Sequence, residues 1–266
     1  IPLLSHLAAN GWVGFNVNYR LSPFATWPDH LVDCKRAVAW VREHAEVYGI
    51  DPDFIAVTGG SAGGHLTAEV ALTANRPELQ PGFEQADTTV QAAVPFYGVY
   101  DFTDRHHVQM PGFVSLFIEP WVMKAFLADE PEAFAQASPL DQVHADAPPF
   151  LVVHGDRDTL APLADARQFA ADLREVADAP VVFAEIRGAQ HAFDIFLSPR
   201  TAPVIEGVER FLWAVHRDWK AGQGDAGEGI LDDETVAAEP EGEADESEAE
   251  PAATTDEPSG VPVSGA

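Results

Sequence analysis

The 266-residue sequence is short of cysteine, of basic side chains and of long apolar runs. Cys34 is the only cysteine, so an intrachain disulfide is excluded, and its amphipathic surroundings predict a thiol buried in a helix. No apolar run approaches the ~20 residues that cross a bilayer, so no transmembrane segment is predicted. Only 15 lysines and arginines stand against 43 acidic residues, which argues against a nucleic-acid partner or an anionic membrane surface.

The acidic charge is divided unevenly along the chain. Residues 221–266 hold 14 of the 43 acidic residues and contain no lysine, arginine or aromatic residue. Such a segment cannot bury enough apolar area to offset the entropy lost on ordering, so residues 220–266 are predicted to be a disordered acidic tail. An interaction tail is the alternative. Residues 1–219 are then predicted to form one globular domain.

Short apolar segments alternate with helical patterns through those 219 residues. The segments that favour strands are "WVGFNVNY", "FIAV", "QAAVPF", "FLVV" and "VVFAEI". Strands of this length that alternate with amphipathic helices predict an α/β fold, with a mostly parallel sheet and helices on both faces. Residues 99–148 break the alternation with aromatics, histidines and prolines, which indicates an insert of short helices.

One serine stands among glycines in the stretch "AVTGGSAGGHLTAEVALT". Gly59-Gly60-Ser61-Ala62-Gly63 matches the pattern G-x-S-x-G, with an apolar strand before it and a helical pattern after it. Small neighbours permit the tight strand-to-helix turn that exposes a nucleophilic serine, and the N–H groups of the helix point towards a developing anion. The alternative is a glycine-rich turn that serves only packing.

A serine hydroxyl needs a base, and chain position selects one among the ten histidines. His191 lies between the last predicted strand and the last predicted helix, at the strand ends where ligands bind in open α/β sheets. His65 follows Ser61 too closely on one helix to face it, and is predicted to pack or cap. His106 and His107 have no carboxylate at metal-ligand spacing and are predicted to be surface or pocket-lining residues.

The orienting acid should follow a strand that lies between the serine and the histidine. The segment "LVVHGDRDTLAP" offers Asp156 and Asp158. Asp158 lies further past the strand and is freer to reach a neighbouring loop, whereas Asp156 is better placed to shape the turn through backbone N–H groups. The order Ser61, Asp158, His191 is the one used by α/β-hydrolases.

Four ordered motifs, "VNYRLSP", "GGSAGGH", "HGDRDTLAP" and "QHAFD", resemble the carboxylesterase and lipase branch of the α/β-hydrolase fold. The resemblance is to hormone-sensitive-lipase-like esterases, particularly those of actinobacterial (mycobacterial) type, and it covers nearly all of residues 1–219. It implies Ser61 as nucleophile, Asp158 as orienting acid, His191 as base and the Ala62 N–H as one oxyanion donor. It also implies hydrolysis of carboxylic esters of short to medium acyl chains, with no metal or organic cofactor.

The sequence departs from that family at its start. The family carries an H-G-G-G-type oxyanion loop on a strand upstream of the first helix, and no such motif occurs in this chain, which begins at Ile1 rather than at methionine. A missing N-terminal part is therefore predicted, with a gap in the sheet, impaired stability and a rate reduced ~10²–10³-fold. Two alternatives stay open: a non-catalytic fragment or binding protein on a hydrolase scaffold, and a peptidase or arylformamidase with the same triad.

Two further features have both a functional and a structural interpretation. The insert contains Phe102, Phe113, Phe117, Trp121, Phe126 and Phe134. These aromatics either line an acyl or aryl pocket beneath a cap over the active site, or form the core of the cap itself. Arg20 either positions a substrate or, as we expect, pairs with a neighbouring loop.

Overall fold

The computed structural model describes residues 2–196 and 198–223, so the predicted acidic tail lies almost wholly outside the described residues. Within them, four parallel strands form one sheet in the order β1-β2-β3-β4. The strands are β1 (Ala56–Gly60), β2 (Ala92–Phe96), β3 (Phe150–Gly155) and β4 (Val181–Ile186). The predicted α/β class with a parallel sheet is confirmed.

Helices precede, separate and follow the strands, largely where the apolar periodicity predicted them. They are α1 (Pro2–Ala9), α2 (Asp29–Glu43), α3 (Ala45–Tyr48), α4 (Ala62–Leu72), α5 (Pro131–Gln136), α6 (Leu163–Val176) and α7 (Thr201–Gly222). Gly49 ends α3 with φ +65°, the left-handed conformation that glycine adopts most readily. The last helix runs three residues past 219, the end of the predicted domain.

The sheet has a packed apolar core on each face. Ala93, Phe150 and Val152 point to the face covered by α2, α4 and α6, where they meet buried residues such as Phe169. Their strand neighbours, such as Val94, point the other way, towards α1 and α7. This alternation follows from the two-residue period of a strand, and it explains why β2 and β3 are apolar at nearly every position.

The prediction of a strand over "WVGFNVNY" is wrong. Residues 12–20 form no strand, and the outer edge of β1 pairs with no other strand among the described residues. Residues 12–17 and residues 55–58 both line an apolar groove of about 390 Å³. An apolar alternating segment becomes a strand only when it has a hydrogen-bonded neighbour, and here the groove lies where that neighbour would be.

The insert at 99–148 folds as short helices around a small core of its own. Besides α5 it contains a π-helical segment, Val114–Met123, and a 3₁₀ turn, Pro139–Gln142. Phe102 and Phe134 are buried in its core. Phe117, Trp121 and Phe126 are at least half exposed, at 52%, 50% and 65%. Some of the aromatics therefore form the core of the insert, and others remain on its surface.

Arg20 and Cys34 both have structural surroundings, although the partner of Arg20 lies on helix α2 rather than on a loop and Cys34 is only partly buried. Arg20 forms a two-pronged ion pair with Asp33, with its Nε and an Nη 2.8 and 2.9 Å from the two carboxylate oxygens. Cys34 lies on α2, where burial raises the pKa of its thiol to about 12, so the thiol stays protonated. Among the described residues no helix is both long enough and apolar enough to cross a membrane.

A buried carboxyl lies on α4, the helix that follows Ser61. Glu69 is fully buried and neither of its carboxylate oxygens has a hydrogen-bond partner, while Lys35, equally buried, donates to the carbonyl oxygen of Thr73. Burial raises the pKa of Glu69 to about 8, although the charges of Arg76 and Lys35 work to lower it. The carboxyl is therefore held largely in its neutral form at neutral pH.

We expect Glu69→Gln to flatten the dependence of stability on pH. Because the pKa of Glu69 is raised from 4.5 to about 8, the folded state binds the proton more tightly, and stability falls as pH rises through that window. The variant should match the wild type at pH 5 and exceed its free energy of unfolding by roughly 1–3 kcal/mol at pH 8. Denaturant titrations at both pH values test this, with the exposed Glu175→Gln as control. An unchanged pH slope in Glu69→Gln would contradict it.

Close packing of α4 on the sheet supplies a second test. A Cβ on Gly64 would collide with the carbonyl oxygen of Phe96 and lie 3.0 Å from the Cα of Gly98, whereas a Cβ on Gly63 would have no atom within 4 Å. Gly64→Ala should lower the free energy of unfolding by about 1–3 kcal/mol. Gly63→Ala, one residue away on the same helix, should leave it unchanged or raise it by about 0.5–1 kcal/mol. Thermal melts of the two variants make the comparison, and equal losses would refute it.

Candidate active site

Ser61 occupies a strained turn between β1 and α4. Its φ of +58° lies in the left-handed region, which costs a residue with a side chain on the order of 1–3 kcal/mol. A hydrogen bond from its N–H to the carbonyl of Phe96, at 3.0 Å, holds the turn in place. The glycines before it are required sterically: a Cβ on Gly59 would lie 2.6 Å from the Gly63 carbonyl oxygen, and one on Gly60 would lie 2.6 Å from the Tyr97 hydroxyl.

The three residues predicted to act together lie in one hydrogen-bonded line. His191 Nε2 is 2.9 Å from Ser61 Oγ, and His191 Nδ1 is 2.7 Å from Asp158 Oδ2. Ser61 and His191 are 130 residues apart in sequence, so the fold alone brings them together. Both distances are within the ordinary hydrogen-bond range, which is the geometry required of a nucleophile, a base and an orienting group.

Asp158 is held as an anion although its side chain has no exposed surface. Burial works to raise the pKa of its carboxyl, but hydrogen bonds from His191 and from the N–H groups of Ala161 and Leu160 outweigh it and lower that pKa. The two N–H groups lie 2.9 and 2.8 Å from Oδ1, which leaves Oδ2 for the imidazole. An anionic Asp158 accepts a hydrogen bond from Nδ1–H, which leaves the lone pair of Nε2 facing the serine hydroxyl.

Sequence reasoning missed a second histidine beside the acid. His154, on β3, is fully buried, and its Nε2 donates to the Ala161 carbonyl oxygen at 2.9 Å while lying 3.5 Å from Asp158 Oδ2. Burial lowers the pKa of His154, which keeps the ring neutral. The ring therefore supports the acid-bearing loop. Its position inside an apolar strand carries no sequence signal for such a contact.

The side chains of His65 and Asp156, the other candidate residues from the sequence, make structural contacts away from Ser61. His65 is buried, stacks on Phe102 with ring centroids 4.4 Å apart, and donates to the Ala137 carbonyl oxygen at 2.8 Å. Burial lowers the pKa of His65 to about 4. Asp156 accepts a hydrogen bond from the Gly188 N–H at 2.6 Å, so it joins two neighbouring turns rather than shaping its own.

The surroundings of the site are open and partly apolar. His106 and His107 are exposed on the insert, and the described residues contain no cluster of three or more side chains suited to a metal ion. Leu160 follows Asp158 by two residues and is 46% exposed, while Ile195 and Phe196 follow His191 and are 55% and 80% exposed. The apolar groove beside β1 does not include Ser61, Asp158 or His191 among its lining residues.

A strand-to-helix turn bearing Ser61, on a parallel sheet covered by helices, defines an α/β-hydrolase. The chain belongs to the BD-FAE family, whose sequence profile matches residues 1–173. This confirms the hydrolase resemblance noted in the sequence.

Relatives and solved structures agree with that assignment. The chain is 52% identical to the probable carboxylic ester hydrolase LipM of Mycobacterium tuberculosis over 221 residues, covering 83% of this chain and 51% of LipM. It is 50% identical to the esterase LipQ of the same organism, covering 81% of this chain and 51% of LipQ. The apo form of Thermogutta terrifontis esterase 2 superimposes with a TM-score of 0.67 at 25% identity, covering 80% of this chain and 76% of that one. The chain thus spans about half the length of these mycobacterial relatives.

The hydrogen bonds to Asp158 predict a pH-dependent stability. Because its folded pKa is depressed, the anion stabilises the fold above its ordinary pKa of ~3.9, and this contribution is lost as pH falls through the folded value. Asp158→Asn should lower the free energy of unfolding by about 1–3 kcal/mol at pH 7, with the deficit shrinking below about pH 4. Urea titrations from pH 7 to pH 3 measure it, with the exposed Asp178→Asn as control. A deficit that stays constant with pH would contradict the assignment.

Proposed function

We propose that the chain carries the catalytic domain of a serine carboxylesterase, with Ser61 as nucleophile, His191 as general base and Asp158 as the orienting acid. The observation that carries the proposal is the unbroken hydrogen-bonded line from Ser61 Oγ through both ring nitrogens of His191 to Asp158 Oδ2. The names of the mycobacterial relatives, a probable carboxylic ester hydrolase and an esterase, favour the same reaction.

In acylation, Ser61 Oγ attacks the ester carbonyl carbon while its proton passes to His191 Nε2. The carbonyl π electrons move to the oxygen and form a tetrahedral oxyanion. Asp158, anionic and 2.7 Å from Nδ1, stabilises the imidazolium that results. Collapse of the intermediate restores the carbonyl and expels the alkoxide, which takes the proton from Nε2 and leaves as the alcohol.

Deacylation repeats the same chemical steps with water as the nucleophile. His191 Nε2 removes a proton from the water as its oxygen attacks the acyl carbon, and a second oxyanion forms. Its collapse releases the carboxylic acid and returns the proton to Ser61 Oγ. No redox step or external co-reactant is needed, so the residues on these loops suffice for the proton transfers.

Ala62 is the proposed oxyanion donor on the chain. As the first residue of α4, it has an N–H that lies ahead of the hydrogen-bond ladder of the helix and near its positive end. The N–H of Ser61 is unsuitable, because it is bonded to the Phe96 carbonyl. Loss of one such donor typically costs ~10²–10³ in rate, so the Ala62 N–H would contribute substantially to turnover.

Esters with short to medium apolar acyl chains are the proposed substrates. Exposed Leu160, Ile195 and Phe196 surround the acid and base loops with apolar surface that suits such chains. The insert at residues 99–148, proposed as a cap, presents the exposed rings of Phe117 and Trp121.

A serine-directed fluorophosphonate tests the proposal directly, because the reagent forms its covalent bond in one step and reports on the nucleophile even where turnover is weak. The wild-type chain should be labelled once per molecule. Ser61→Ala and His191→Ala should lose labelling, by at least about 10²-fold in rate, because each removes a member of the catalytic unit. Intact mass spectrometry measures the extent of labelling.

Ser115→Ala, an exposed serine on the insert, is the matched control and should label like the wild type. Hydrolysis of p-nitrophenyl esters from acetate to dodecanoate then defines the acyl preference. A folded wild-type chain that is not labelled would overturn the proposal in favour of a non-catalytic scaffold. Labelling with hydrolysis of anilides but not of esters would redirect it to an amidase.

A further inference from the structure

The loop that carries His191 crosses much of the sheet. His191 follows β4, whereas Ser61 follows β1, and β2 and β3 lie between them. Neighbouring strands are ~4.8 Å apart, so the imidazole reaches its partner from three strands away. A loop of this reach can hold the His191 side chain in a fixed position only if residues on the intervening strands, β2 and β3, support it.

Tyr97, the residue after β2, lies between the two. Its side chain is 3% exposed, and its ring centroid is 4.7 Å from that of His191. The absence of a side chain at Gly60, immediately before Ser61, makes room for its phenol. The backbone of Tyr97 is fixed by its N–H bond to the Val153 carbonyl oxygen, at 2.8 Å. The ring therefore lies against both the serine turn and the histidine loop.

The hydroxyl of Tyr97 donates to Asp194 Oδ1, three residues beyond His191. Burial first, and the bond to Asp194 second, raise the pKa of the Tyr97 hydroxyl, so it remains a proton donor. The bond thus ties the far side of the histidine loop to β2. Phe193, between the two polar residues, packs its ring 6.0 Å from that of Tyr97.

The histidine loop needs such a support because its backbone is strained. Ala192, directly after His191, has φ +59°, a left-handed conformation that a residue with a Cβ rarely adopts. On the near side of His191, the Ala189 carbonyl oxygen accepts the Arg157 N–H at 2.9 Å. If Asp194 were released, Ala192 could relax, and the imidazole would rotate away from Ser61.

We propose that Tyr97 and Asp194 act as a positioning pair that holds His191 Nε2 against Ser61 Oγ. This inference rests on the proposed function of Ser61 and His191, to which it adds two residues that do not touch the reacting atoms. The pair complements Asp158: the acid contacts Nδ1, while the Tyr97 ring packs against the imidazole and its hydroxyl holds Asp194.

Tyr97→Phe, Asp194→Ala and the double variant test the pair, since alanine, unlike asparagine, leaves no side-chain acceptor for the Tyr97 hydroxyl. Tyr97→Phe keeps the buried ring and removes only the hydroxyl. Each single change should lower kcat for a p-nitrophenyl ester about 10–100-fold and leave KM within about twofold, since small displacements of a catalytic group carry losses of this size. The double variant should be no slower than the slower single variant, because both changes break one bond. Tyr48→Phe, an exposed tyrosine, and Asp178→Ala, an exposed aspartate, are the matched controls.

The kcat of each variant is divided by the fraction of its chains that the fluorophosphonate labels at Ser61, and a thermal melt is recorded for each. These two measurements separate a loss of positioning from misfolding. A Tyr97→Phe variant with wild-type kcat would overturn the proposal, whether or not its melting temperature falls. Losses that multiply in the double variant would overturn it too, because they would mean that the residues act independently.

A measurement that does not depend on catalytic activity distinguishes failure of the proposed positioning role from failure of the proposed function. In a chain with isotope-labelled histidine, the ring signals of His191, assigned through His191→Gln, should shift or broaden in Tyr97→Phe and not in Tyr48→Phe. If the wild type is not labelled by the fluorophosphonate, the proposed function fails, and this measurement still decides the pair. Unchanged His191 signals in Tyr97→Phe would reject the pair even in an active enzyme.

Discussion

A single backbone hydrogen bond, from the Ser61 N–H to the Phe96 carbonyl, determines where the site is built. It extends the pairing of β1 with β2 one residue past the end of β1, after Gly60 has paired with Phe96. The serine is thereby kept in the plane of the sheet while its φ turns left-handed and α4 begins. Without it, the strained turn would be restrained in the backbone of Ser61 only through its carbonyl oxygen, which accepts from the N–H groups of Gly64 and His65, and Ser61 Oγ would be less firmly positioned.

The parallel register brings the following loops to the same edge. Each of the four strands delivers one side chain just beyond its carboxyl end: Ser61 after β1, Tyr97 after β2, Asp158 after β3 and His191 after β4. The order along the chain is also the order across the sheet. Ser61 and His191, the proposed nucleophile and base, therefore start from opposite edges. The residues after the two central strands both contact the imidazole: the Asp158 carboxylate at Nδ1 and the Tyr97 ring, whose centroid is 4.7 Å away.

Much of this arrangement could be predicted from the sequence, because its signals are local. The glycines around Ser61, the two aspartates after an apolar strand and the position of His191 all depend on neighbours a few residues away. The strand predicted over residues 12–19 was wrong because alternating apolar residues also suit one wall of a groove. Tyr97 and Asp194 were missed because they are 97 residues apart, and no local sequence pattern around either residue predicts that they form a hydrogen bond.

Three residues of the site, Ser61, Tyr97 and Ala192, have left-handed backbone conformations despite carrying a Cβ. Glycine would adopt each of these conformations more easily, yet it would remove the proposed nucleophile at the first position and the phenol at the second. Relief of backbone strain and retention of the side chain are therefore opposed at two of the three. Ala192 is the exception, because a glycine there relaxes the backbone and deletes no functional group. Selection for thermostability would therefore favour glycine at Ala192, whereas at Tyr97 the loss of a buried ring would outweigh the relief of backbone strain.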